Sequence, residues 1–334
     1  RRGPGVRVAI VDLGTNTCRL FLADVDGAVV RQDARVTTVV RLGQGVDDTG
    51  RLHPDAVART RACLPSYAAR VRRYGPARRL LIATSVLRDA ADGRAFLAAV
   101  ERDLALPWRV LAGDEEGALA FRGGTSWLAR PAPPGPVGLE GWRADEAPPP
   151  GPLLLVDIGG GSTEFAVGAA GGPADSVYSL DVGVVRLTER FFHADPPPAT
   201  EVEALARHVA AAVEEAVPAD LRAAVRTAVG VAGTYTTLVA TKLGMTEYDS
   251  SRVQGHVLSL GDIESAVARL AAMTSAERGR LPGIQPGRED VILAGALIAR
   301  EALRAFGLDA VIVSEADLLE GAALALADGS LASS

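Results

Sequence analysis

The sequence predicts an α/β protein made of two tandem domains of the same type, with a cleft between them. The chain has 334 residues, which is enough for about two domains of ordinary size. Apolar residues make up 48% of the chain and charged residues 23%, so each domain has material for a core. An internal repeat and an alternation of strands with helices complete the prediction.

The internal repeat consists of two similar segments, 8–28 and 153–172. The first reads VAIVDLGTNTCRLFLADVDGA and the second LLLVDIGGGSTEFAVGAAGG, so that Asp12 aligns with Asp157. Each contains an apolar run, an Asp-x-Gly turn followed by hydroxyl residues, and a second apolar run. This order predicts, in each domain, two strands joined by a tight hairpin turn.

Further helices are predicted where apolar residues recur at helical spacing, and further strands where short apolar runs lie between turn signals. In the first domain these are helices at 53–74, 91–104 and 115–125 and strands at 79–83 and 108–111. In the second they are helices at 200–215, 236–243, 261–272 and 289–305, strands at 225–231 and 311–313, and a last helix from Leu318. The segment 129–152 is rich in proline, which lacks the N–H that helices and sheets need, so we expect a linker or loop there. The expected domains are therefore 1–128 and 153–334, and the last helix is free to pack back on the first domain.

Composition excludes several classes of protein. The formal charge of −6 disfavours general binding to nucleic acid. The chain contains no apolar run of membrane-spanning length and opens with no secretory leader, so we expect a cytoplasmic protein without a membrane partner. Cys18 and Cys63 are too few for a disulfide framework and are expected as free thiols. The four histidines lack metal-ligand spacing, and neither a Walker-type loop nor a nucleophile elbow occurs.

The segment Asp157–Glu164, DIGGGSTE, is the strongest indication of chemistry. The consecutive glycines at 159–161 let several backbone N–H groups converge on one anion, and Ser162 and Thr163 add hydroxyl donors. Carboxylates on both sides of a phosphate site are a common arrangement for binding Mg²⁺. The alternative is an ordinary glycine-rich hairpin with two incidental acids.

The matching segment of the first domain, DLGTNT at 12–17, gains weight from the repeat. Two such loops on two domains would face each other across the cleft. Arg19 aligns with Glu164, so that one loop offers a cation to phosphate and the other a carboxylate to a metal.

Three other segments carry candidate residues. At 229–237 a strand runs through small residues into a helix, which suits either phosphate binding at the helix N-terminus or a tight junction without a ligand. At 113–117 three acids begin a helix, where the helix dipole favours them, and Glu115 and Glu116 cannot both face the cleft. Arg88 follows a strand and is placed to reach an anion. Basic residues at 70–79 are expected on a solvated face.

Taken together, these segments resemble the exopolyphosphatase/guanosine-pentaphosphate phosphohydrolase family. The resemblance covers nearly the whole chain and rests on several motifs in order, namely AIVDLGTNTCRL, TSVLRDA, LAGDEEGALAFRG, LLLVDIGGGSTEF, SLDVGVVRLTE, GVAGTYTTL, DVILAGALI and VSEADLLEGA. It implies two ribonuclease-H-like domains of the type found in actin, sugar kinases and heat-shock chaperone ATPases. Because the sequence ends after the second domain and has no His-Asp pair, we expect the short, two-domain type.

The resemblance also implies roles for individual residues. It makes Glu116 the group that orients or deprotonates the attacking water, Arg88 a phosphate-gripping arginine, and Asp157 and Glu164 ligands of Mg²⁺, with Mn²⁺ as an alternative. The implied phosphate-binding residues are Gly14, Thr15, Asn16, Thr17, Arg19, Gly159, Gly160, Gly161, Ser162, Gly233 and Thr234. A homodimer is expected.

The implied reaction is hydrolysis of the terminal phosphoanhydride of inorganic polyphosphate, with short chains preferred. Guanosine pentaphosphate is the alternative substrate, and a non-catalytic sensor of polyphosphate or nucleotide is the alternative from another class. Two positions depart from the family pattern: Gly117 stands where alanine is usual, and Ala316 where histidine is frequent. Gly117 is expected to loosen the helix that carries Glu116, and Ala316 leaves any role of that histidine without a residue.

Overall fold

The computed structural model describes residues 5–128 and 151–332, which fall into two units, each with one mixed sheet. Unit 1 comprises Arg1–Gly123 and Leu318–Ser334, and unit 2 comprises Gly124–Asp317. The proline-rich segment predicted as a linker lies outside the described residues except for Gly151 and Pro152. Within the described ranges, no helix is long and apolar enough to cross a membrane.

Unit 1 is a five-stranded sheet with helices. Its strands are β1 (Val6–Leu13), β2 (Thr17–Asp26), β3 (Val29–Val39), β4 (Arg78–Ala83) and β5 (Trp108–Val110). Its helices up to Gly124 are α1 (Val46–Thr49), α2 (Pro54–Tyr74), α3 (Ser85–Asp89), α4 (Gly93–Leu104) and α5 (Gly113–Gly124). The strand order is β3-β2-β1-β4-β5, in which β1 pairs antiparallel with β2 and parallel with β4. The central strand β1 is buried from Val8 to Leu13, as expected for a strand with neighbours on both sides.

Unit 2 has a six-stranded sheet. Its strands are β6 (Leu153–Ile158), β7 (Thr163–Gly168), β8 (Ala174–Leu180), β9 (Thr227–Val231), β10 (Val257–Ser259) and β11 (Ala310–Val313). Its helices are α6 (Val184–Phe191), α7 (Ala199–Ala216), α8 (Ala219–Ala224), α9 (Ala232–Lys242), α10 (Ser250–Val253), α11 (Leu260–Ala271), α12 (Ser275–Arg278) and α13 (Ile292–Phe306). The order β8-β7-β6-β9-β11 repeats that of unit 1, and β10 adds an antiparallel edge strand. The predicted α/β class with two domains of one type is therefore confirmed.

The last helix, α14 (Leu318–Asp328), belongs to unit 1. It contacts β1, β2 and β4, and its Glu320 accepts a hydrogen bond from Arg35 of β3. Eight of its eleven residues are buried, because so apolar a helix is stable only when it packs against other parts of the protein, here the sheet.

The sequence prediction omitted the third strand of each unit and several short helices. The middle of β3, Arg31–Asp33, is exposed and polar, so it carries no core pattern. β8 likewise has only exposed and half-buried residues until its last position, Leu180. The segment that carries Arg88 was expected only as a connection after a strand, and it forms the short helix α3.

Candidate functional site

In unit 1, the loop between β1 and β2 directs its carbonyl groups into the protein. The Gly14 N–H donates to the carbonyl oxygen of Thr17 at 3.0 Å and closes the turn. The Asn16 carbonyl accepts from two backbone amides of the segment that follows β3, and the Thr15 carbonyl accepts from Gly43 N–H at 2.8 Å. The backbone N–H groups of Thr15 and Asn16 donate to no described residue. Such a loop presents donors, and donors are what an anion requires.

Arg19 sits opposite Asp12 at the end of the β1–β2 ladder. Its Nε and Nη2 lie 2.8 and 2.7 Å from Asp12 Oδ2, and the Asp12 side chain is buried. Asp12 therefore fixes the guanidinium and offsets its charge. An anion at this loop would meet an arginine that is already paired.

The equivalent position in unit 2 holds two carboxylates. Asp157 and Glu164 are opposite each other in the β6–β7 ladder, and they are 6% and 1% exposed. Ser179 Oγ donates to Glu164 Oε1 at 2.8 Å. Like charges placed directly opposite in a sheet are destabilising, and a bound cation relieves that repulsion.

The loop between β6 and β7 repeats the geometry of the first loop. The Gly159 N–H donates to the Ser162 carbonyl at 3.0 Å. The carbonyls of Gly159 and Gly160 accept from the first amides of α6, and Arg186 Nε donates to the Gly161 carbonyl at 2.9 Å. Within the part of the chain that the structure describes, the amides of Gly160 and Gly161 have no acceptor.

Gly183, which sequence reasoning gave no role, allows α6 to approach this loop. A Cβ at position 183 would lie 2.3 Å from the Gly160 carbonyl oxygen, which is far inside contact distance. Only glycine fits there without moving the loop. The signal was present in the SLDVGVVRLTE motif, where Gly183 comes directly before the helix.

The two neighbouring acids of α5 have different surroundings. Glu115 is bonded to the Arg109 guanidinium, and its Oε2 accepts the Ala112 N–H at 3.0 Å, so it caps the helix. Glu116 is only 8% exposed. The helix continues without a break through Gly117. Glu115 thus has a structural role as a cap of the helix.

Arg88 lies close to the start of this helix. Its Nη1 donates to the carbonyl of Leu111 at 3.1 Å, and its Nε is 3.7 Å from Asp89 Oδ1. Leu111 is two residues before α5, so the structure places the Arg88 guanidinium near the N-terminus of the helix that carries Glu116. About a third of the side chain stays exposed.

The third predicted turn joins β9 to α9 directly. Ala232 has φ of +68°, an uncommon value for a residue other than glycine, and Thr234 is buried. The Arg288 side chain lies over Gly233, because a Cβ there would be 1.6 Å from its Nη1. Sequence reasoning missed Arg288, which follows a glycine- and proline-rich segment at 282–287. The structure thus adds a cation to this turn.

A divalent cation at Asp157 and Glu164 fits the residues present. The Tyr235 hydroxyl is fully buried and has no hydrogen-bond partner among the described residues. Burial, and then the nearby Asp157 carboxylate, raise the pKa of Tyr235, so the hydroxyl is a ready donor to a water or a ligand. Among the described residues, no three or more His, Cys, Asp or Glu side chains are grouped so that they could hold a metal ion. Mg²⁺ commonly takes one or two carboxylates and completes its shell with water and phosphate.

Within each unit, the predicted residues gather at the carboxyl ends of the central strands. In unit 1 the segments follow β1, β4 and β5, and in unit 2 they follow β6 and β9. Ligands of open α/β sheets bind at this edge. At the position where the family pattern frequently has histidine, Ala316 contributes a backbone carbonyl that accepts a hydrogen bond from Ser314 Oγ at 2.8 Å.

Comparisons with known proteins agree with this arrangement. The family model of the Ppx/GppA phosphatase family matches residues 24–134 and 141–329. Exopolyphosphatase 2 of Mycobacterium tuberculosis is 41% identical over 337 residues, covering 96% of this chain and 98% of that protein. The crystal structure of an exopolyphosphatase-like protein has a TM-score of 0.86 at 32% identity, with 98% of this chain and 100% of that chain covered. That of the Aquifex aeolicus Ppx/GppA family member has a TM-score of 0.78 at 30% identity, with 99% and 100% covered.

Proposed function

Because this chain belongs to the Ppx/GppA phosphatase family, we propose that it is an exopolyphosphatase that hydrolyses the terminal phosphoanhydride of inorganic polyphosphate and releases orthophosphate. The observation that carries the proposal is the pair of matched hairpin loops, each with free backbone donors, accompanied in one unit by the buried Glu116 and flanked in the other by two buried carboxylates. A sensor without catalysis would have no need of those three acids.

The phosphate chain is held by donors that the fold orients in advance. The amides of Thr15 and Asn16 serve in one unit, and those of Gly160 and Gly161 in the other. Arg88 and Arg288 add positive charge beside α5 and α9. Fixed donors of this kind stabilise the charge that builds up on phosphoryl oxygens during transfer, because they need no reorganisation.

The reaction is an in-line attack of water on the terminal phosphorus. Glu116 accepts a proton as the water oxygen bonds to phosphorus, and the bond to the bridging oxygen breaks. The electron pair of that bond stays with the shortened chain, and the products are orthophosphate and a polyphosphate one unit shorter. Burial of Glu116 favours this role, because the carboxylate is largely shielded from bulk solvent and can hold a single water in place.

Asp157 and Glu164 would hold Mg²⁺, or Mn²⁺ in its place, and the ion would supply charge neutralisation on the phosphate oxygens. In the chain itself, Ser179 orients Glu164, and the buried Tyr235 hydroxyl stands next to Asp157. The hydrogen bond from Ser179 holds the Glu164 carboxylate in one geometry, as outer-shell groups do at other metal sites.

Phosphate release from polyphosphate, guanosine pentaphosphate and ATP, measured in parallel, tests the proposal. We expect release from polyphosphate, its loss in Glu116→Gln, and little change in Glu203→Gln, which removes a surface carboxylate that pairs with Arg207. Release from none of these compounds, or full activity of Glu116→Gln, would overturn it.

Guanosine pentaphosphate is the second candidate substrate, and one observation favours it. Tyr248 is 42% exposed, its hydroxyl donates to Glu315, and the charge of Arg288 acts on it. It therefore offers an aromatic face for a base close to the third phosphate turn. Tyr248→Ala should lower kcat/KM for guanosine pentaphosphate several-fold and leave that for polyphosphate unchanged. An equal loss on both substrates would count against base stacking.

We further propose a preference for short polyphosphate. Besides the loops, unit 1 has a pocket of about 310 Å³ bordered by Arg7, Arg70 and Arg73, with Asp33 and Tyr74. It lies at the start of β1, on the order of 20 Å along the strand from the first loop, and Asp33 offsets part of its charge. The net charge of −6 adds repulsion for a long polyanion. A long polyphosphate would need a continuous track of basic groups between the first loop and this pocket.

Comparing kcat/KM per chain end on oligomers of a few units and on long polymers decides this point. We expect higher efficiency on the oligomers. Equal or higher efficiency on the polymer, lowered by Arg70→Gln together with Arg73→Gln, would mean that the arginine pocket extends the substrate site. A homodimer, which we also propose from the family resemblance, is tested on the same sample by light scattering.

A further inference from the structure

A pocket of about 190 Å³ enters the core of unit 2 away from the hairpin loops. Its walls come from α9, α11, the first residue of α13 and the segment around Leu281–Ile284. None of the proposed catalytic or phosphate-binding residues lines it. On α9 it uses Leu238, Thr241 and Lys242, which are more than one helical turn beyond the phosphate turn at Gly233.

The pocket has the size and lining of a site for a small apolar body. Its wall is made mostly of aliphatic side chains, among them Leu238, Leu258, Ile263, Leu270, Ile284 and Ile292. An engineered apolar cavity of about 150 Å³ in another protein binds benzene, so this space admits one aromatic ring or a short branched chain. Several of these wall residues are core residues with almost no exposure, which keeps the pocket preformed.

Thr241 adds one polar group to this wall. Its hydroxyl is buried and has no hydrogen-bond partner among the residues that the structure describes. A buried hydroxyl without a partner costs free energy, and a polar atom of a bound molecule would satisfy it. The pocket is therefore not purely apolar, and a ligand with one polar atom beside its apolar body suits it best.

The charged side chains at the pocket decide which charge a ligand should carry. Lys242 Nζ is 2.8 Å from Asp262 Oδ2, and the same carboxylate accepts from the Ser259 N–H at the start of α11. Lys242 and Asp262 thus balance each other. Arg269 also lines the pocket, is exposed, and makes no ion pair or hydrogen bond with any described residue. The remaining charge is positive.

We propose that this pocket binds a small aromatic or branched-chain carboxylate, with the apolar body between α9 and α11 and the carboxylate on Arg269. The proposal is independent of the hydrolase activity, because no residue is shared between the two sites. It assigns a specific role to an arginine that otherwise belongs to a solvated helix face.

Calorimetry and ligand-detected NMR on the full chain test the site with four probes, three that share a phenyl ring and differ in charge, and acetate, which has the carboxylate without the ring. Phenylacetate should bind with Kd on the order of 1 mM or tighter. 2-Phenylethanol should bind about fivefold more weakly, and 2-phenylethylamine and acetate should show no saturable binding. Equal binding of the amine, or of acetate, overturns the proposal, as does the absence of binding by phenylacetate.

Three variants locate the binding. Arg269→Gln should weaken phenylacetate about fivefold and leave 2-phenylethanol unchanged, whereas Arg207→Gln, on the exposed face of α7, should change neither. Ala266→Phe fills the pocket and should abolish binding of both. Since Arg269 is exposed, its variant folds even if Ala266→Phe does not. Wild-type affinity in Arg269→Gln, or in folded Ala266→Phe, would overturn the assignment.

Discussion

Replacing Glu164 by glutamine should make the metal-free protein more stable and abolish its stabilisation by Mg²⁺. Asp157 and Glu164 are buried opposite each other on neighbouring strands, so their charges repel when no cation is bound. Glutamine has the same shape and keeps an oxygen to accept the hydrogen bond from Ser179. The substitution therefore removes a charge and leaves the packing in place.

The size of the effect follows from the ladder geometry. Opposite residues of an antiparallel pair have Cβ atoms about 5 Å apart, and two unit charges at that distance repel by about 3 kcal/mol at an effective dielectric constant of 20. The hydrogen bond from Ser179 relieves part of the repulsion on Glu164. We expect a net gain of about 1–2 kcal/mol, which for a unit of this size raises Tm by about 2–8 °C.

Thermal unfolding in chelator and in excess Mg²⁺ measures both parts of this prediction. Wild type should gain stability from Mg²⁺, Glu164→Gln should gain little, and its phosphate release should fall at least a hundredfold. Glu203→Gln, which removes an exposed carboxylate, should behave like wild type under both conditions. A lower Tm of Glu164→Gln in chelator, or an undiminished Mg²⁺ shift, would refute the electrostatic argument.

Three further predictions concern single residues. Glu116→Gln should lower kcat by about 10²- to 10⁴-fold with little change in KM. Glu115→Gln loses a helix cap, so it should lower the free energy of unfolding by about 1 kcal/mol and keep most of the activity. Steady-state kinetics and unfolding of both variants test this, and the reverse pattern would exchange the two roles. Gly183→Ala should displace the second loop, raise KM and lower the free energy of unfolding by about 1–3 kcal/mol. Gly172→Ala should have none of these effects, because a Cβ at position 172 would make only ordinary contacts. A fully active Gly183→Ala would show that the loop tolerates the methyl group. Burial and the charge of a nearby lysine lower the pKa of His256, so the folded chain binds fewer protons than the unfolded chain. The stability of the fold should therefore decrease as the pH drops below 6.5. Unfolding measured between pH 5 and 7 gives this dependence, which should be weaker in His256→Asn.

Most of the fold could be predicted because its signals are local. Apolar runs on both sides of an Asp-x-Gly turn predict each of the two hairpins. α2 is bounded by two residues with clear capping roles, His53 and Gly75. The third strands could not be found in this way. β3 has a polar middle, and its place beside β2 is fixed by pairing across the sheet and not by its own sequence pattern.

The candidate site was predictable where it coincides with a motif and unpredictable where it depends on contacts between distant segments. Glu115 and Glu116 have the same local pattern, and the contacts of Glu115 with Arg109 and with the Ala112 amide identify it as the acid that caps the helix. Arg288 reaches Gly233 across more than fifty residues of sequence, so no spacing rule connects them.

The repeat itself shows why equal positions need not have equal roles. Asp12 and Asp157 are each the second-to-last residue of the first strand of a hairpin, and each lies directly opposite a residue near the start of the return strand. In unit 1 that residue is Arg19, and the resulting ion pair is satisfied within the protein. In unit 2 it is Glu164, and the same geometry places two negative charges together. One exchange of charge thus separates a hairpin that can bind an anion through its backbone alone from one whose carboxylates favour a bound cation.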